Sequence, residues 1–226
     1  MREAAALMQL IAMVTMLIDH IGIVFFPDQD VWRIVGRLAF PLYAYALVQG
    51  YRHTRSIKRY LFRLVVIGAV SQVPYMLALK LFKVNVVGSL LVCLAALFLI
   101  DRAGSRAGAV AIVLASAALL EAVPFDYGSY ALFLVLVFRY CSPHQTVLYH
   151  LLLNFAYVFY KGWALQLYSI AATAMFAYAP RAYGVLEKIR IPRWFWRSFY
   201  PAHLIVLAVA RLVVSGEIET FFPRHS

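Results

Sequence analysis

Residues Ala6 to Phe26 read ALMQLIAMVTMLIDHIGIVFF, an apolar run with an acid and a histidine, Asp19 and His20, near its far end. At 1.5 Å per helical residue such a run covers the roughly 30 Å of hydrocarbon in a bilayer. A carboxylate at that depth costs about 2.5 to 3.5 kcal/mol on insertion scales, so the Asp-His pair needs a partner, a water-filled cavity or a chemical role. The run lacks the small-residue cleavage site of a signal peptide, and its far end carries this pair, so it is expected to be retained.

Runs of the same kind recur through the chain. An apolar content of 64%, only 14% charged residues and a mean hydropathy of +0.79 lie outside the range of soluble globular proteins. Nine spans are expected, at about 6–26, 31–50, 58–80, 84–100, 107–123, 127–140, 144–160, 163–179 and 195–214, with the sixth and eighth the shortest. The fold class this predicts is an all-α, polytopic transmembrane helical bundle, with residues 1–226 forming a single integral membrane domain in a lipid bilayer.

The net charge of +11 points to membrane orientation rather than nucleic acid, because the Lys and Arg residues sit in short loops between apolar runs and not along one polar face. One side collects Arg2, Arg52, Arg55, Lys58, Arg59, Arg102, Arg106, Arg139, Arg181, Lys188, Arg190 and Arg193. The other holds the acidic PDQD turn, Lys80, Lys83, a Pro-Phe-Asp turn and Lys161. The first side is then the cytoplasm, which puts the N-terminus inside, the C-terminus outside, and Asp19 and His20 toward the outer face. The basic loop 180–194 leads into an aromatic-rich WFWRSFY and reads as an interfacial anchor. Cys93 lies inside an apolar run and Cys141 in a loop, at different depths, so no disulfide is expected and two isolated cysteines make no metal motif.

Several polar residues share the outer depth of His20. Arg33 and Arg37, four apart, lie on one helical face: Arg33 is expected to snorkel outward, and Arg37 either pairs with Asp19 or binds an anion. Pro41 cannot donate to the carbonyl of Arg37, so the second span should bend there. Gln72 and Asn85 read as helix glue or as site residues, and Asp126, opening Asp126-Tyr127-Gly128, as a helix N-cap or as part of a site. His150 and Asn154, four apart near mid-membrane, are expected to bond each other or a neighbouring backbone. His203, one turn beyond Pro201 and next to Tyr200 in the last span, is a core histidine or the imidazole that completes a polar cavity with His20. His20, His150 and His203 have no paired ligand spacing, so no metal is expected.

Taken in order, LIAMVTMLIDHIG at 10–22, GRLAFPLYAYALVQGYRHT at 36–54, GAVSQVPY at 68–75, Asn85, DYG at 126–128 and FYPAHL at 199–204 resemble the TraX family of membrane proteins. Named members of that family acetylate the N-terminus of conjugative pilin, and the family is distantly similar to multi-span acyltransferases that acetylate sugars across a membrane. The resemblance implies a bacterial inner-membrane acyltransferase with acetyl-CoA as donor substrate and a pilin-like protein or surface glycan as acceptor. It directs attention to Asp19, His20, Arg37, Gln72, Asn85, Asp126, Tyr127, Tyr200 and His203. An imidazole suits the removal of a proton from an amine, so His20 is the candidate base, with Asp19 as an orienting acid. Arg37 is a candidate for the thioester oxyanion or a CoA phosphate, with Gln72, Asn85 and Tyr127 as donors. The rival readings are a proton-coupled transporter and a non-catalytic membrane protein.

Overall fold

The structure, a computed structural model, describes residues 4–178 and 192–214. Most of the basic loop and the C-terminal tail therefore lie outside the described residues. The helices in chain order are α1 (Ala4–Phe25), α2 (Asp30–Gly36), α3 (Ala39–His53), α4 (Ile57–Leu79), α5 (Val86–Ile100), α6 (Arg106–Ala122), α7 (Ser129–Tyr140), α8 (Pro143–Lys161), a 3-10 turn at Ala164–Ser169, α9 (Ile170–Tyr178) and α10 (Arg193–Val214). Four helical stretches, Met8–Phe25, Asp30–His53, Ile57–Leu79 and Trp194–Val214, are long and apolar enough to cross a membrane. Three further apolar helices are shorter, and the 12 residues of α7 extend only about 18 Å at 1.5 Å each.

Local sequence sets the helix ends. Ser56 and Ser105 accept the backbone N–H groups of Arg59 and Gly108, and Ser142 with Gln145 forms a capping box ahead of Pro143 at the first position of α8. Gly162 closes α8 in the left-handed region at φ +70°. The expected bend in the second span is a full interruption at Arg37 and Leu38, where Pro41 leaves the Arg37 carbonyl without its helical donor. In place of one continuous eighth span, a 3-10 turn leads into the short α9.

Side-chain contacts fix two ends of the bundle. At one end Asp19 meets Arg33 and Arg37, Lys161 meets Glu121, Arg211 donates to the carbonyl of Ala78, and the turn at Val84 pairs with the turn at Pro124 and Asp126. At the other end Asp101 takes Tyr51 and Arg139, while Arg52 donates to the carbonyls of Phe138 and Arg139. Apolar clusters join them, two of them large. One packs Phe40, Leu94, Leu97, Tyr130, Leu134 and Phe138 between α3, α5 and α7, and the other packs Met16, Tyr75, Tyr200 and Leu204 between α1, α4 and α10. Phe62, Val73, Leu114, Leu152, Phe159 and Val206 face outward, as a surface solvated by lipid requires.

Candidate functional site

A cavity of about 440 Å³ opens among α1, α2, α3, α4 and the turns near Asp126 and Trp163. Its charged floor comes from α1 and the interrupted second span. Asp19 Oδ2 accepts from Arg33 Nη1 at 3.3 Å and Asp19 Oδ1 from Arg37 Nη2 at 3.2 Å, so one carboxylate bridges two guanidinium groups. This approach depends on Gly36, because a Cβ there would fall inside the Asp19 carboxyl group, and Gly22 in the same way admits Trp32. Arg37 also donates from Nε to the carbonyl of Arg33 and from Nη1 to Gln166 Oε1. A guanidinium has five N–H donors, so two remain for a ligand.

The imidazoles of His20 and His203 stack with ring centroids 5.1 Å apart, and His20 Nδ1 lies 2.9 Å from His203 Nε2. His203 Nδ1 is 2.8 Å from the carbonyl of Phe199, which can only accept, so Nδ1 of His203 carries the proton. A neutral His203 then presents an empty Nε2, and His20 must donate from Nδ1. The result is an empty Nε2 on His20, a cavity-lining residue, with no partner for that nitrogen among the described residues. That is the configuration of a base.

The opposite wall is built on the turn after α6. Val84 N donates to the carbonyl of Pro124 and Asp126 N to the carbonyl of Val84, each at 2.9 Å, and the Ser89 hydroxyl bonds the Asp126 carbonyl. Tyr127 sits in the left-handed region at φ +64°, followed by Gly128 at +55°, which directs its ring onto Phe40 at a centroid distance of 3.9 Å. Burial pushes the Asp126 carboxyl above the usual carboxylate range, against the pull of Arg37 and Lys83. The hydroxyls of Tyr75 and Tyr200 are buried, and neither makes a hydrogen bond of good geometry among the described residues.

Of the residues singled out from sequence, Asp19, His20, Arg37, Asp126 and Tyr127 line the cavity. His203 and Tyr200 stand just behind it. Gln72 and Asn85 do not reach it. Gln72 Oε1 accepts from the Asn85 backbone and side chain, its Nε2 donates to the Lys83 carbonyl, and Asn85 Oδ1 caps α5 through the N–H groups of Val87 and Gly88. The pair ties the turn to α4, in keeping with the glue reading. Asp126 is not an N-cap: Gly128 holds that position, and the Glu121 carboxylate at the end of α6 accepts from Ser129 N and Oγ instead. Asp19 bonds the arginines rather than His20, whose orienting partner is His203. Arg33, expected to snorkel outward, bonds Asp19 and lines the cavity. Trp163, Gln166 and Lys83 also line it, and of these three Gln166, a lone carboxamide inside an apolar run, is the one that stands out in the sequence.

The family model described as "TraX protein" matches residues 4–211 of the chain. A curated relative, "Probable fimbrial assembly protein FimC, serogroup H1" from Dichelobacter nodosus, is 27% identical over 241 residues, covering 91% of this chain and 94% of that protein. No solved structure matches.

Proposed function

The chain belongs to the TraX family, and on that premise we propose that it is a membrane-embedded acyltransferase, passing acetyl from acetyl-CoA to an amine, such as a pilin N-terminus, or to a hydroxyl at the outer side of the bacterial inner membrane. The observation that carries the reading is the empty Nε2 of His20, held by His203, in a cavity also lined by Arg37, which keeps two N–H donors uncommitted. As the acceptor nitrogen or oxygen forms its bond to the thioester carbonyl carbon, its proton moves to His20 Nε2. The Nδ1–H bond to His203 holds the ring in place while it is charged. The carbonyl π electrons collect on oxygen, where the Arg37 donors stabilise them. Collapse breaks the carbon–sulfur bond, and the departing thiolate of CoA takes the proton back from Nε2.

The cavity volume falls in the ordinary range for small-molecule sites. A relative named for fimbrial assembly supports a pilin-like acceptor, as does the family itself. In the orientation expected from loop charge the cavity faces the outer side, and a cytoplasmic donor enters from the other end. There a second cavity of about 120 Å³ lies against Tyr45, Arg52, Phe138 and Phe176. The test is to incubate the purified protein in detergent with radiolabelled acetyl-CoA and peptides bearing a free α-amine, and separately with hydroxyl-bearing glycans. Label should pass to one acceptor class. Label that stays on CoA with every acceptor would favour the transporter or structural readings.

A further inference from the structure

Behind the cavity lies a second polar cluster with no charged member. Tyr130 Oη donates to Asn154 Oδ1 at 2.8 Å and is 2.9 Å from His150 Nε2; His150 Nδ1 is 2.7 Å from Thr173 Oγ1. Asn154 Nδ2 donates to Ser169 Oγ at 3.1 Å, and Gln166 Nε2 donates to Tyr130 Oη at 3.1 Å. All six side chains are buried, and of these only Gln166 lines the cavity. Interhelical hydrogen bonds in membrane proteins average only about 0.6 kcal/mol, so α7, α8 and α9 could be held together by apolar contacts instead. What the cluster supplies is direction.

Its outlet to the cavity is Gln166, whose Oε1 accepts from Arg37 Nη1 at 3.4 Å. The two ends of a carboxamide have nearly the same shape, and a flipped Gln166 would set an NH2 group against a guanidinium, donor against donor. Tyr130 prevents the flip. Its proton is engaged with Asn154, so its oxygen accepts from Gln166 Nε2, and Oε1 is left facing Arg37.

We infer that Gln166 is a positioning residue for Arg37, oriented by Tyr130 and the hydrogen-bonded cluster behind it. Asp19 accepts from Nη2 of Arg37 and Gln166 from Nη1, and the Arg33 carbonyl takes Nε. This fixes where the two remaining N–H groups point. The catalytic consequence rests on the acyl-transfer reading, in which those two donors meet the oxyanion; the positioning itself does not.

Tyr130→Phe removes one hydroxyl, keeps the ring in the core and replaces no residue that itself lines the cavity. It should lower kcat by about 10- to 10²-fold with little change in KM, since small misplacements of a stabilising group have effects of that size. In an Arg37→Lys background the same change should cost almost nothing further. Gln166→Leu should behave like Tyr130→Phe, whereas Gln166→Glu keeps an oxygen toward Arg37 and should retain most activity. A second readout is independent of catalysis. In protein labelled with 15N-arginine, the Arg37 signals, identified by their loss in Arg37→Lys, should show hindered guanidinium rotation in the wild type and averaging in Tyr130→Phe. Unchanged Arg37 signals and unchanged kcat in Tyr130→Phe would overturn the inference, as would an equal loss of activity in both backgrounds. A wild type that transfers no acetyl would defeat the functional reading, and the Arg37 signals would still decide the positioning claim.

Discussion

An imidazole serves as a base only if one nitrogen is kept empty, and in this protein a backbone carbonyl settles which. The chain from the Phe199 carbonyl through His203 to His20 sets both tautomers. His203→Phe should therefore lower the acyl-transfer rate of the folded protein, and His203→Gln, whose side-chain oxygen can accept from His20 Nδ1, should recover part of it. Rates equal to wild type in His203→Phe would show that the pair is packing only. Asp19 has a different task. It balances two partly buried arginines at a site where its own side chain is 12% exposed, so Asp19→Asn removes their counter-charge, a loss of about 1.5 to 3 kcal/mol, the usual range for hydrogen bonds to charged groups. Thermal unfolding in detergent should show that loss; an Asp19→Asn protein as stable as wild type would contradict it. From sequence, Asp19, His20 and Arg37 were legible as residues of one depth, and His203 as a core histidine or the imidazole that completes a polar cavity with His20. Their pairing was not, because neighbouring helical positions diverge by about 100° and only the packed bundle decides which one turns toward α10 and which toward α2.

At the scale of elements, the site is made by interruptions. Pro41 breaks the second span so that Arg37 lies at the joint between α2 and α3, and that much could be read from the position of the proline. The 3-10 turn that brings Gln166 to Arg37 left no comparable mark, since ALQLYS contains neither proline nor glycine and reads as part of an apolar helix. Close approach of α1 and α2 rests on two glycines, which gives a paired prediction. Gly22→Ala and Gly36→Ala should each cost about 1 to 3 kcal/mol of stability by overpacking. Only Gly36→Ala displaces Asp19, so only it should also cut the activity of the surviving folded protein, as thermal unfolding and acetyl transfer measured together would show. Equal activity in the two variants would mean that the Asp19 grip on Arg37 does not matter to the reaction.

At the scale of the whole molecule, each apolar stretch read from the sequence corresponds to a helical stretch among the described residues, two of them interrupted. Hydrophobic run length carries that information because a helix in lipid has to satisfy its backbone internally. The assembly of the cavity was less legible, because it joins residues as distant as Asp19, Asp126 and Gln166 through helix packing that no local pattern encodes. Orientation is an expectation from loop charge: a reporter active only in the cytoplasm, fused after Ser226, should be silent, and a strong signal would contradict the nine-span topology with its C-terminus outside. The central claim is that acetyl transfer occurs in this cavity with His20 as the base. It is tested most directly by measuring acetyl transfer and CoA binding on the same preparations of wild type and His20→Ala. The account predicts a fall in transfer of about 10²- to 10⁴-fold with CoA affinity little changed, and a folded His20→Ala protein that binds CoA and transfers acetyl at the wild-type rate would contradict it.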